Sequence, residues 1–110
     1  MNLKEQKCVP CSGDEPPLDV EEEKKYLEQL QGWYLQKSGE HKIYKNFKFA
    51  DFKASMEFVN KVAALAEDEG HHPNIIINYN VVGLECFTHA IGGLSGNDFI
   101  LAAKIDDLIT

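Results

Sequence analysis

The run Glu67-Asp68-Glu69-Gly70-His71-His72-Pro73, continuing as Asn74-Ile75-Ile76-Ile77-Asn78-Tyr79-Asn80-Val81-Val82, contains a change of period that decides how this chain folds. Upstream of Gly70, apolar residues recur at helical spacing as Phe52, Met56, Val59, Val62 and Ala66, with Phe58, Ala63 and Leu65 widening the stripe. Asp51 is placed to cap this helix and Gly70 to end it. Pro73 biases His72 towards extended backbone, so the His-His-Pro corner marks a break from helix to strand. Beyond it, Asn74 to Tyr79 and Val81 to Thr88 are β-branched or aromatic runs around Asn80, which predicts a hairpin.

Working outward, Asp19 reads as a helix N-cap with Glu22 completing a capping box, while Glu21 and Glu23 suit the positive end of the helix dipole. Leu27 and Leu30 with Tyr26 form its apolar stripe and Gly32 its stop, so a first helix is expected from Val20 to about Gln31. Trp33 to Lys37 is strand-like, Ser38-Gly39 signals a turn, and Lys42 to Phe49 follows as a second strand. In that strand Ile43, Lys45, Phe47 and Phe49 share one side against Lys42, Tyr44, Asn46 and Lys48, which suits a sheet covered on one face. Lys45 is the exception and marks an edge or a pocket. Gly92-Gly93 interrupt the chain, and Ser95-x-x-Asp98 opens a last helix carrying Phe99, Ile100, Ala102, Ala103, Ile105 and Leu108.

The resulting order is α-β-β-α-β-β-α. Its economical solution is an α+β fold, a four-stranded antiparallel sheet with three helices on one face. Residues 1–18, punctuated by Pro10, Gly13, Pro16 and Pro17, read as a flexible or loosely docked arm before a domain at 19–110. Both sides of the third strand are apolar, which predicts that a second protomer covers part of the sheet.

At 110 residues the chain is long enough for one core. Its longest apolar run falls far short of the roughly 20 residues that cross a bilayer, and residues 1–18 lack the apolar block of a secretory signal. The 11 basic residues, all Lys, against 18 acidic ones argue against a nucleic-acid partner, leaving a small organic substrate or a protein. Three cysteines without an export signal point to a reducing compartment, the cytoplasm. Cys8-x-x-Cys11 offers half a zinc site or a redox pair, but no second such unit exists, so free thiols are the favoured reading. Cys86 reads as a small core residue.

The histidines carry the chemistry. His71 and His72 stand at the corner, and an antiparallel hairpin would return His89 to it. Imidazoles titrate near neutrality, so a group of them suits proton transfer or metal ligation. Glu67 lies four residues before His71 on the last helical turn, where it can orient that imidazole, although a solvated helix face beside Asp68 and Glu69 is the commoner role. Asp98 has capping as its plain role and lies just past the loop that follows His89. Zinc or iron could use two or three imidazoles with a carboxylate, but adjacent histidines diverge and the helical i, i+4 pair is missing. His41, near a turn, reads as incidental.

The string Glu67-x-x-x-His71-His72-Pro73, then Tyr79, His89 and Asp98, resembles the signature of the pterin-4a-carbinolamine dehydratase family, with Gly93-Leu94-Ser95-x-x-Asp98, Leu30-x-Gly32-Trp33, Asn46-Phe47-x-Phe49 and the early C-x-P-C segment adding to it. The resemblance covers nearly the whole chain. It implies the same element order and the loss of water from 4a-hydroxytetrahydropterin to give quinonoid dihydropterin, which recycles the pterin of aromatic amino-acid hydroxylases. It implies no metal and no organic cofactor. His71 and His89 would be the acid/base residues and His72 a substrate-positioning donor. Asp98 would recognise the ring or orient a histidine, and Tyr79 and Glu67 would complete the substrate site. The assembly implied is a homodimer or homotetramer. Other relatives act as dimerisation cofactors or assembly factors, which keeps a protein-binding module as the alternative. One departure is Ile75, where some relatives carry Trp: an aliphatic side chain cannot stack on a pterin in the same way.

Overall fold

In the computed structural model, which describes residues 2–10 and 13–109, the elements run α1 (Val20–Leu27), β1 (Tyr34–Gln36), β2 (Lys42–Lys48), α2 (Phe52–Glu69), β3 (Asn74–Asn78), β4 (Val81–Cys86) and α3 (Gly96–Asp107). The strands form one antiparallel sheet in the order β1-β2-β4-β3. The α+β architecture and its α-β-β-α-β-β-α order match the expectation, with short 3₁₀ turns at Leu3–Glu5 and His89–Ile91 added.

Register explains the core. Ile43 pairs with Cys86 and Phe47 with Val82, while Leu84 sits between Lys45 and Ile75, so these positions share the face beneath the helices. Ile43, Val82, Leu84 and Cys86 are fully buried there, with Phe58, Val62, Phe99, Leu101 and Ile105 covering them from α2 and α3. Each large apolar side chain so buried contributes about 1.5–3 kcal/mol. Tyr26 of α1 stacks on Phe99, ring centroids 5.0 Å apart, which ties the first helix to the last.

The strands each end one or two residues short of expectation, and the shifts at α1 and at the start of β1 have a visible cause. α1 stops at Leu27 because Gln29 and Leu30 donate their N–H groups three residues back, to Tyr26 and Leu27, so the helical ladder gives way to turns before Gly32. β1 excludes Trp33, whose side chain turns into the core and donates its indole N–H to Asp106 at 3.0 Å. Lys45, the exception on the inner face, reaches the same Asp106 at 2.9 Å and the Gln31 carbonyl at 3.1 Å. On this interior strand it marks a half-buried ion pair with the end of α3.

The arm expected to be flexible or loosely docked makes defined contacts. Leu3 is buried, the Cys8 N–H donates to Glu69, and Val9 exchanges two hydrogen bonds with the Asn97 side chain. No helix among the described residues is long and apolar enough to cross a membrane.

Candidate active site

Asn74 pairs with Glu85 where β3 begins and β4 ends, so the His71–His72 corner and the segment bearing His89 lie at the same end of the sheet. Gly70 takes a left-handed φ of +68° to close α2, a conformation that costs little only for glycine. His71 follows directly, its N–H still bonded to the Ala66 carbonyl.

The His71 side chain, 12% exposed, places Nε2 2.6 Å from Oδ1 of Asp98. Asp98 is fully buried in the first turn of α3. Its Oδ2 accepts the Thr88 hydroxyl at 2.8 Å and the Ser95 N–H at 2.9 Å. Because the Thr88 proton points at Asp98, the Thr88 oxygen accepts from the Ser95 hydroxyl. A carboxylate so held favours the His71 tautomer with hydrogen on Nε2, in which Nδ1 is the acceptor nitrogen. Asp98 thus combines the expected capping role with a grip on one histidine.

His72 points elsewhere, as successive residues of an extended chain do. Its Nε2 lies 2.5 Å from Glu67, and both side chains are exposed, His72 at 59%. Glu67 therefore meets His72 instead of the expected i+4 neighbour His71. His89 is 85% exposed, with Nδ1 3.4 Å from Glu40 and its ring edge-on to Phe87. The loop that carries it is closed by bridging hydrogen bonds between Thr88 and Gly93. A continuous path therefore runs from His71 through Asp98 to Thr88, the residue before His89. Glu40 was missed from sequence: nothing local in residue 40 announces a partner at residue 89.

Tyr79 is not brought to this corner. It occupies the two-residue turn between β3 and β4, at the opposite end of a strand that spans roughly 17 Å at about 3.4 Å per residue. It is exposed there with a left-handed φ of +49°. Ile75, at the start of β3, faces inward opposite Leu84.

Glu69, grouped from sequence with a solvated helix face, is buried instead. Burial opposes its ionisation, but the Cys8 N–H at 2.9 Å and Lys104 at 2.7 Å together hold its carboxyl below the usual range. Burial and the Glu69 carboxylate push the Cys8 thiol up to about 12, so it stays protonated, which disfavours a thiolate role. Cys11, its partner in the C-x-x-C unit, lies outside the described residues. Buried Cys86 is also raised, chiefly by desolvation. Among the described residues no three His, Cys, Asp or Glu side chains converge as a ligand set for a metal ion. Beneath the arm, Val9, Pro16, Leu18, Tyr26, Ser95 and Asn97 help enclose a cavity of about 370 Å³, which none of His71, His72 and His89 lines.

The family model described as pterin 4 alpha carbinolamine dehydratase matches residues 16–108. A Rickettsia canadensis protein whose name assigns it, provisionally, as a pterin-4-alpha-carbinolamine dehydratase is 48% identical over 108 residues, 97% of either chain. A Nitrosomonas europaea protein of the same name is 47% identical, covering 97% of this chain and 93% of its own. Among solved structures, a transcriptional coactivator/pterin dehydratase from Brucella melitensis superimposes with a TM-score of 0.79 at 31% identity, covering 86% of this chain and 99% of that one. A pterin dehydratase-like protein identified as a RuBisCO assembly factor in the alpha-carboxysome gives 0.61 at 25% identity, over 71% and 89%.

Proposed function

Because the chain belongs to the pterin 4 alpha carbinolamine dehydratase family, we propose that it removes water from a 4a-hydroxytetrahydropterin by histidine acid/base catalysis. In this reaction the C4a–O bond breaks as the hydroxyl takes a proton and leaves as water. N5 gives up its proton, and its electron pair closes the N5=C4a double bond of quinonoid dihydropterin. The conversion is redox-neutral and needs one acid and one base with pKa values near the working pH, each worth about 10²–10⁴-fold.

The observation that carries this reading is the buried Asp98, which holds His71 while anchoring the loop that presents His89. A carboxylate that fixes the tautomer of an imidazole is a general device for making it an efficient proton carrier. His71 and His89 act as the acid/base pair, His72 as a positioning donor restrained by Glu67, and Asp98 as the residue that positions His71. The working form is a cytoplasmic homodimer or homotetramer. Exposed Tyr34, Tyr44 and Ile76 on the uncovered sheet face support that assembly.

The test is a spectrophotometric dehydration assay with a 4a-hydroxytetrahydropterin. His71→Ala and His89→Ala each lower kcat by about 10²-fold or more while the oligomer survives. Unchanged turnover in both would refute the assignment. Activity that persists in a strong chelator removes the metal-dependent alternative. A second reading, a protein-binding module with little catalysis, draws on the same exposed sheet face and on the likeness to an assembly factor. It predicts a native chain without dehydratase activity.

A further inference from the structure

The arm lies along α3 in reverse, from Lys4, whose ammonium is 3.4 Å from Asp107 at the end of that helix, to Val9 at its start. There the fit is reciprocal. The Val9 N–H donates to Oδ1 of Asn97 at 3.0 Å, and Nδ2 of Asn97 donates to the Val9 carbonyl at 2.7 Å. One residue earlier, the Cys8 N–H donates to Glu69 at 2.9 Å, and the Cys8 thiol lies 3.6 Å from the Asn97 carbonyl. Both partners are buried, Glu69 at 8% exposed and Asn97 at 7%.

Glu69 ends α2 two residues before His71, and Asn97 is the residue before Asp98. Cys8 and Val9 therefore form a clip between the closing turn of α2 and the opening turn of α3. His71 and Asp98 span the same junction with a hydrogen bond of 2.6 Å. Lys104 also ties α3 to Glu69, but from about two turns further along the helix. Past the clip the chain returns, and the Leu18 N–H donates to the carbonyl of Leu94, the residue before the Ser95 cap of α3.

Helix ends fray, and a misplacement of about 1 Å at a reacting group can cost about 10²-fold in rate. A dipeptide bonded to both ends acts on the geometry of the imidazole as well as on the stability of the fold. We infer that Cys8, Val9 and Asn97 are positioning residues of the active site, holding the two helix ends in register so that Asp98 keeps its grip on His71. The segment before the first helix is thereby part of the proton-transfer machinery. The inference rests on the dehydratase reading above.

The experiment uses the full chain with substitutions that open the clip from opposite sides. Val9→Pro removes the N–H at an arm position 66% exposed, and Asn97→Ala removes both side-chain bonds while leaving a good helix former in α3. Each variant lowers kcat for a 4a-hydroxytetrahydropterin by about tenfold or more and leaves KM within about twofold. In nitrogen NMR of the labelled protein, the His71 ring moves from the single Nε2–H tautomer towards a mixture of the two. Variants that melt at a lower temperature but match the native kcat and His71 signals at the assay temperature would overturn the inference, because the arm would then serve stability alone. Val9→Pro, outside the core, supplies the reading should Asn97→Ala not fold. A native chain with no turnover refutes the dehydratase reading and this inference with it.

Discussion

His71 and His72 are neighbours in sequence, each bonded to a carboxylate at close to the same distance, and they live in different physical worlds. His71 meets a buried Asp98 that is held by Thr88 and Ser95, whereas His72 meets Glu67 in open solvent. Around Asp98 the low local dielectric strengthens every contact and makes a lost partner costly. At His72 water screens the charges, and such a pair contributes about 0–1 kcal/mol. The same chemistry is fixed in one pair and adjustable in the other, and a single peptide unit separates them.

The comparison breaks most sharply at Asp98. Asp98→Asn keeps the shape but can donate where the carboxylate only accepted, so His71 takes the wrong tautomer or loses its anchor. The expected result is a kcat lowered by about 10²–10⁴-fold with a reduced Tm, read by steady-state assay and thermal melt. Activity within twofold of native would mean that the buried pair serves capping alone.

Glu69 is the intermediate case, another buried carboxylate, but one that pins the arm. Its carboxyl is held below its ordinary 4.5, so its contribution is complete above that pH and is lost as pH falls through the lower folded value. Hydrogen exchange should therefore show the Cys8 and Val9 amides losing protection as the solution is acidified below about pH 4.5. Glu69→Gln should loosen the arm already at neutral pH and abolish that acid step. Protection unchanged down to pH 3 would show that the Asn97 contacts hold the arm by themselves.

The smallest effect belongs to Glu67. Glu67→Gln should change stability by less than about 0.5 kcal/mol in chemical denaturation, and kcat by no more than a few-fold. A loss comparable to that of Asp98→Asn would erase the distinction between the two pairs.

The fold was legible because its largest signals are local: the helical stripe ending at Gly70, the extended bias before Pro73 and the hairpin around Asn80. That His71, His72 and His89 lie at one end of the sheet was legible for the same reason, since they belong to elements whose directions follow from those breaks. What sequence left unread is contact between distant residues. Glu67 seemed a partner for His71 until the left-handed Gly70 turned the corner and put His72 within its reach. Glu69 looked like one more solvated acid, yet docking of the arm buries it against Lys104. Tyr79, grouped by the resemblance with the substrate site, is carried away by the length of its own strand. Glu40 and Glu23 find their histidines only once α1, β2 and the loop after β4 are assembled.

Trp33 is the one tryptophan of this chain, and its buried indole is bonded to Asp106 near the end of α3. Fluorescence excited at its absorption edge therefore comes from a single joint, where the start of the sheet meets the final helix. Loosening of that joint would shift the emission to longer wavelength, whereas events confined to the histidine corner would leave the colour of the light unaltered. The molecule thus carries its own optical gauge, able to tell a variant that has lost its frame from one that has lost only its chemistry.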